Sequence, residues 1–151
     1  MALIILTLIA HFTGWRDFQN IESTTNLMVD LVGYALGLAF TILGILYFRG
    51  HNDGLLTFGE GMSVSLFIGV FSGIIGAIFM YLFAAYIAPD IGEAVMNTID
   101  MDEMSDDEAE QMEQVMGFAT SPIFLAFSQL IGSILLALVY GLIGSLILKK
   151  G

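Results

Sequence analysis

The chain has no cysteine. Disulfides, thiolate catalysis and cysteine-ligated metals are therefore excluded, and cysteine usage says nothing about redox compartment. Positive charge is scarce as well. The 151 residues include four Lys and Arg, too few to form a patch that tracks phosphates, so nucleic-acid binding is excluded. Charged residues of both signs make up 13%, against about 25% in soluble domains. Proline occurs twice, at Pro89 and Pro122, which leaves long stretches without a helix breaker. The sequence lacks a Gly-x-Ser-x-Gly elbow, a P-loop and a His-Glu-x-x-His pair, so no enzyme motif is present. No set of residues has the spacing of a metal or cofactor site. The single His-Asp neighbourhood at His51 and Asp53 lacks both ligand number and geometry.

What the chain does have is apolar length. Hydrophobic residues make up 57%, and mean hydropathy is +0.86. The stretch Gly61 to Ile87 contains no Asp, Glu, Lys or Arg. At about 1.5 Å per residue it exceeds the roughly 30 Å of a bilayer's hydrocarbon core. Similar runs cover residues 27–48 and 122–148. A shorter run over 2–15 closes with Gly14, Trp15 and Arg16. A signal peptide is the competing reading of that first run. It fails because no basic residue precedes the apolar core and no Ala-x-Ala-like site follows. The run is expected to be a first membrane helix that is short or begins upstream.

These runs predict an all-α chain, a single domain over residues 1–151 built as an integral membrane four-helix up-down bundle. The approximate spans are 2–15, 27–48, 62–87 and 122–148. Ser65, Gly69, Gly73 and Ala77 place a small-residue row on one face of the third helix, where another helix can approach closely. Gly33 and Gly37 form a similar pair on the second helix, and Ala137, Gly141 and Ser145 on the fourth. Three polar residues stand inside or near the spans. His11 reads as a hydrogen-bonded histidine near a helix end, with proton handling as the alternative. Asp30 reads as a first-turn carboxylate favoured by the helix N-terminus, against a functional carboxylate. Gln129 reads as an interhelical hydrogen-bonding residue.

Most of the acidic residues behind the net charge of -11 fall in the loop over residues 89–121. There Ser105-Asp106-Asp107-Glu108 has the pattern of a capping box, which predicts a short extramembrane helix from Asp106 to about Met116, closed by Gly117. Its apolar stripe is Met112, Val115 and Met116. As a calcium loop starting at Asp100 the segment fails, because Ser105 takes the Gly place and Gln111 the bidentate Glu place. Arg49, Lys149 and Lys150 share one face of a four-span topology, opposite Arg16 and the acidic loop. The positive-inside rule then makes both termini cytoplasmic.

The block Gly54-Leu-Leu-Thr-Phe-Gly59, the glycine-rich third run, Tyr86-Ile-Ala-Pro89-Asp90, the acidic Met-containing segment and the closing Gly-Ser-Leu-Ile-Leu-Lys-Lys run together resemble the uncharacterised bacterial family of domain of unknown function 4199, typical of Bacteroidota. The resemblance implies a small four-helix inner-membrane protein and supplies no catalytic residues. Members of that family usually start with a longer, charged segment, so the short first run implies a missing beginning. The function expected is that of a structural or accessory membrane protein, whose partners are the lipid bilayer and a membrane-protein partner or second copy. A small transporter or channel component is the second reading, and an extracytoplasmic cation or partner sensor using the acidic loop the third. A polar cavity at His11, Asp30 and Gln129 would favour transport; a closed dry bundle would favour the structural role.

Overall fold

The computed structural model describes residues 2–15, 24–91, 93 and 105–150. Arg16, Ser23 and the acidic positions between 94 and 104 lie outside them. The described residues are all-helical. They form α1 (Ala2–Phe12), α2 (Thr24–His51), α3 (Phe58–Leu82) with a π-helical turn at Phe83–Ile87, α4 (Asp106–Ala119) and α5 (Pro122–Leu148). Three segments are long and apolar enough to cross a membrane: Thr24–His51, Phe58–Ile87 and Pro122–Leu148. The apolar α1 has 11 residues, about half the length needed to span.

Helix boundaries follow local chemistry. Thr57 caps α3: its Oγ1 accepts from the Glu60 N–H (3.3 Å), and Glu60 Oε2 accepts from the Thr57 N–H (2.7 Å). This capping box starts α3 four residues ahead of the expected span. Between α2 and α3 the chain reverses at Asn52-Asp-Gly-Leu55. Asp53 and Gly54 both have positive φ (51° and 77°), and the Leu55 N–H donates to the Asn52 carbonyl at 2.8 Å. Asp and Gly are the residues that adopt this left-handed backbone at low cost. At the other end of α3, Pro89 cannot continue a helix. The last turn widens there, with the Ala88 N–H donating to the Phe83 carbonyl at 2.9 Å.

Helix α4 does not stop at Gly117 as expected. It continues to Ala119 and ends at Thr120, whose N–H donates to the Met116 carbonyl at 2.8 Å. The stop comes from Ser121, which precedes Pro122 and is extended (ψ 142°), as a residue before proline prefers. Ser121 also caps α5 by accepting from the Phe124 N–H at 3.3 Å. Met112 and Met116 are half-buried and Val115 is exposed, so the expected apolar stripe of α4 is covered only in part. At its start, the Ser105 N–H and Oγ–H both donate to Glu108 Oε2, at 3.0 and 2.8 Å.

Those two bonds, the backbone one first, hold the Glu108 carboxyl below its ordinary value. A depressed folded value means that the contact contributes stability above the ordinary glutamate range, lost as pH falls through the folded value. Ser105→Ala removes the hydroxyl donor and leaves the N–H. The Glu108 carboxyl carbon, followed by NMR titration in detergent, is expected to titrate at a higher pH in that variant. An identical midpoint in both proteins would show that the cap does not form.

The main packing contact is between α3 and α5, with α2 against both and α1 against α2. The buried residues of α3 are Gly61, Ser65, Gly69 and Gly73, and those of α5 are Ala137, Gly141, Gly144 and Ser145. Every one is small. The helices run antiparallel, with Gly61 facing Ser145, Ser65 facing Gly141, Gly69 facing Ala137, and Gly73 facing Ser133. A methyl group on Gly69 would collide with the Ala137 Cβ. Backbones this close also let side chains bond across: Ser65 Oγ donates to the Ala137 carbonyl (2.5 Å) and Ser133 Oγ to the Gly69 carbonyl (2.9 Å). At the end of the row Gly76 also meets α5, where an added Cβ would lie 3.1 Å from Gln129 Nε2. Steps of four residues drift around a helix of 3.6 residues per turn, so a step of three restores the face.

Beyond α5, Lys150 pairs with Leu56 through two backbone bonds of 2.8 and 2.9 Å, and Arg49 Nη1 donates to the Leu148 carbonyl at 3.3 Å. The loop after α2 and the chain after α5 are thereby tied at one end of the molecule.

Candidate functional site

Tight packing of α3 on α5 leaves the remaining helices further apart. Between α1, α2, α3 and α5 lies a cleft of about 700 Å3. Its lining includes apolar Leu3, Leu6, Phe40, Ile68 and Leu136 and polar Asp30, Tyr34, Ser72, Gln129, Ser133 and Tyr140. Gly33, Gly37 and Gly132 also line it, which smooths the surface where side chains would otherwise fill the gap.

The cleft is polar because each helix contributes from the face turned away from its tightest contact. Tyr140 leans across from α5 to α2: its ring lies over Gly37, and its hydroxyl donates to the Tyr34 carbonyl at 3.1 Å. Ser72 Oγ donates to the Ile68 carbonyl at 2.6 Å and lies 3.3 Å from Ser133 Oγ. Thr41, buried on α2, donates from its hydroxyl to the Gly37 carbonyl at 2.8 Å. These hydroxyls are thus satisfied within the protein.

Asp30 and Gln129 differ from expectation. Asp30 does not stand in the first turn. Helix α2 starts at Thr24 and has no acidic residue in its first turn, which sets Asp30 more than one turn inside the helix, half-buried on the cleft wall. Gln129 was expected to bond to a neighbouring helix. Its side chain lies over Gly76 of α3, and no hydrogen bond of its amide occurs among the described residues. Gln129 also lines the cleft and is exposed. Among the described residues, Asp30 is the one carboxyl lining this space, and no Lys, Arg or His lines it.

His11 is not part of the cleft. Its ring meets the edge of Phe83 at a centroid distance of 5.0 Å and that of Phe12 at 5.4 Å. Phe83 belongs to a separate buried cluster with Ala84, Ala88 and Ile91, packed on by Leu8, Phe79, Met80 and Leu125. The structure thus brings Asp30 and Gln129 together and leaves His11 at another place. Gly33 and Gly37 line the cleft as well as pack: an added Cβ would meet Leu3 at 3.8 Å and Tyr140 at 3.0 Å respectively. Sequence reading missed Tyr34, Ser72, Ser133 and Tyr140. The available signal was a polar or aromatic residue every third or fourth position on α2 and α5, which also suits simple interhelical packing. No cluster of three or more His, Asp or Glu side chains that could hold a metal occurs among the described residues.

The sequence profile of a family described as "Protein of unknown function (DUF4199)" matches residues 1–150. No curated protein and no solved structure matches the chain.

Proposed function

The chain belongs to this family of unknown function, and we propose that it is a multi-pass protein of the bacterial inner membrane that binds a small ligand in its intramembrane cleft, as a transporter or ligand-binding component. In this reading α1, α2, α3 and α5 form an up-down bundle, and the acidic α4 lies outside the membrane. The observation that carries it is a cleft of about 700 Å3 that both Gln129 and Asp30 line. Small-molecule sites commonly occupy about 300–1,000 Å3 and combine apolar walls with a few convergent polar groups. An ionisable residue inside a membrane span is costly to keep, which is why it marks function.

Gly132 provides the test. It lines the cleft, and a Cβ added there would meet nothing within 4 Å. Gly132→Leu should fill the space while leaving the helix contacts intact. Native mass spectrometry of protein extracted from membranes is expected to find a small molecule retained by the wild type and absent from the variant. Equal retention by both would end the cleft reading.

The second reading is an accessory role through helix contacts. It is favoured by Ala35 and Ala39, exposed four residues apart on α2, where a partner helix can approach closely.

Orientation follows from Arg49, Lys149 and Lys150 at one end of the bundle, which the positive-inside rule makes cytoplasmic together with both termini. Single cysteines at Asn52 and Gln111 of this cysteine-free chain report it. A membrane-impermeant thiol reagent, applied to cells with a permeabilised outer membrane, should label Gln111→Cys and spare Asn52→Cys. The reverse pattern inverts the topology.

A further inference from the structure

We propose that the cleft holds one acyl chain of a membrane phospholipid, lying lengthwise with its ester end toward α4. The inference rests on the cleft being a binding site, and it adds the class of ligand. The length of the lining fits such a chain. It runs from Val29 to Thr41 on α2 and from Gln129 to Tyr140 on α5, each stretch roughly 17 Å long at about 1.5 Å per residue. One leaflet of hydrocarbon, half of a core of about 30 Å, is about 15 Å deep. The lining stops where α2 packs directly on its neighbours: the Ile68 side chain of α3 fills the space beside Gly44, and the Ile45 side chain of α2 that beside Gly144. Val29 and Gln129 stand near the starts of α2 and α5, on the side of the molecule where α4 leads into α5. The cleft therefore occupies the depth of the leaflet on that side and ends inside the span. Leu3, Phe40 and Leu136 line it and are also exposed, so its rim reaches the surface that the spans turn to lipid. The hydroxyls of Thr41, Ser72, Ser133 and Tyr140 each donate to a backbone carbonyl. A hydrocarbon chain beside them strands none of those hydrogens and brings no polar group that needs a partner. It also supplies the dispersion contacts that an unfilled groove lacks. Gln129, exposed at the α4 end, carries an amide N–H suited to an ester carbonyl.

Photolabelling from within the bilayer tests this. The full-length protein is reconstituted in vesicles of phosphatidylethanolamine and phosphatidylglycerol that contain a phosphatidylcholine with a diazirine on one acyl chain. One probe carries the diazirine near the ester, a second near the methyl end, and labelled residues are located by peptide mass spectrometry. Thr41 and Ala137 line the cleft and are 3% and 4% exposed, so a lipid resting on the outer surface does not reach them. Phe67 and Phe71 are exposed on α3 and do not line the cleft, so they report surface lipid. The methyl-end probe is expected to label Thr41 and Ala137, and the ester-end probe to label the region of Gln129 instead. Gly132→Leu should remove most of the labelling at Thr41 and Ala137. Labelling at Phe67 and Phe71 and the unfolding midpoint should stay as in wild type, which guards against a mere folding defect. Labelling by both probes confined to surface residues such as Phe67 and Phe71 would overturn the acyl chain. So would labelling of Thr41 and Ala137 that survives Gly132→Leu, or labelling of Thr41 by the ester-end probe alone. In each of these cases a molecule other than a lipid, retained by the wild type and lost from Gly132→Leu in native mass spectrometry, would keep the cleft as a site. Retention of nothing would remove both readings.

Discussion

Gly69→Leu is expected to destroy the α3–α5 pair and with it the folded protein in detergent. At this position the backbone of α3 lies against Ala137 so closely that even a methyl group would collide with the Ala137 Cβ, and it would stand 3.2 Å from the Ser133 carbonyl oxygen. Neither obstacle can rotate away, because one is a Cβ and the other is backbone. Separating the helices also breaks the bonds from Ser133 Oγ to Gly69 and from Ser65 Oγ to Ala137, each worth about 0.6–2 kcal/mol in a membrane setting. Overpacking adds about 1–3 kcal/mol or more. The sum rivals the whole stability of a small domain, about 5–15 kcal/mol. Gly69→Ala should fall between the two, and combining it with Ala137→Gly should recover most of the loss, since the pair exchanges one methyl group across the contact. Thermal unfolding followed by circular dichroism measures the series. A Gly69→Leu protein that melts at the wild-type temperature would mean that this face points to lipid. Gly59→Leu is the matched control, because a Cβ there meets nothing within 4 Å.

The next largest effect is expected from Phe83→Ala, at about 3 kcal/mol. Phe83 is 1% exposed and is the largest fully buried side chain among the described residues. It joins α1 to the end of α3: the His11 ring lies against it at 5.0 Å and Phe79 at 5.7 Å, with Leu8, Met80 and Leu125 around the same cluster. Removing the ring opens a cavity too enclosed for neighbouring side chains to fill, so dispersion contacts are lost outright. Two readouts separate this from a general loss of fold. The unfolding midpoint should drop, and the His11 ring protons should shift in NMR as the aromatic edge disappears. An unchanged midpoint with unchanged His11 signals would mean that α1 does not dock on this turn.

The fold was legible wherever one physical rule acted alone. An uncharged apolar run such as Gly61 to Ile87 has few folded states open to it other than a long helix, because its backbone groups must be satisfied internally in lipid. Thr57 and Glu60 carry the Thr-x-x-Glu pattern just as plainly, yet hydropathy alone puts the start of α3 at residue 62. The error was to let hydropathy outrank capping chemistry. The same preference shortened α2 at its start and so misplaced Asp30 at a helix end. Gly117 was read as a stop because glycine often follows a helix, but glycine only permits that backbone, whereas proline at 122 enforces a break just before it.

Composition and local pattern settled that the chain is helical, that three of its segments are long and apolar enough for a bilayer, and that small residues recur at helical spacing on α3 and α5. These properties depend on residues near one another in sequence, where the rise and period of a helix are known in advance. Which row meets which, and in what register, depends on two helices more than fifty residues apart, and the tertiary structure alone pairs Gly61 with Ser145 and Gly69 with Ala137. The cleft is further still from the sequence. It exists because α3 and α5 close to backbone contact while the Tyr140 ring stands between α5 and Gly37 of α2. An empty volume is set by the distances among four helices, and no residue pattern encodes such distances directly. Asp30 and Gln129, ordinary-looking polar positions far apart in the sequence, line one cleft because of that packing.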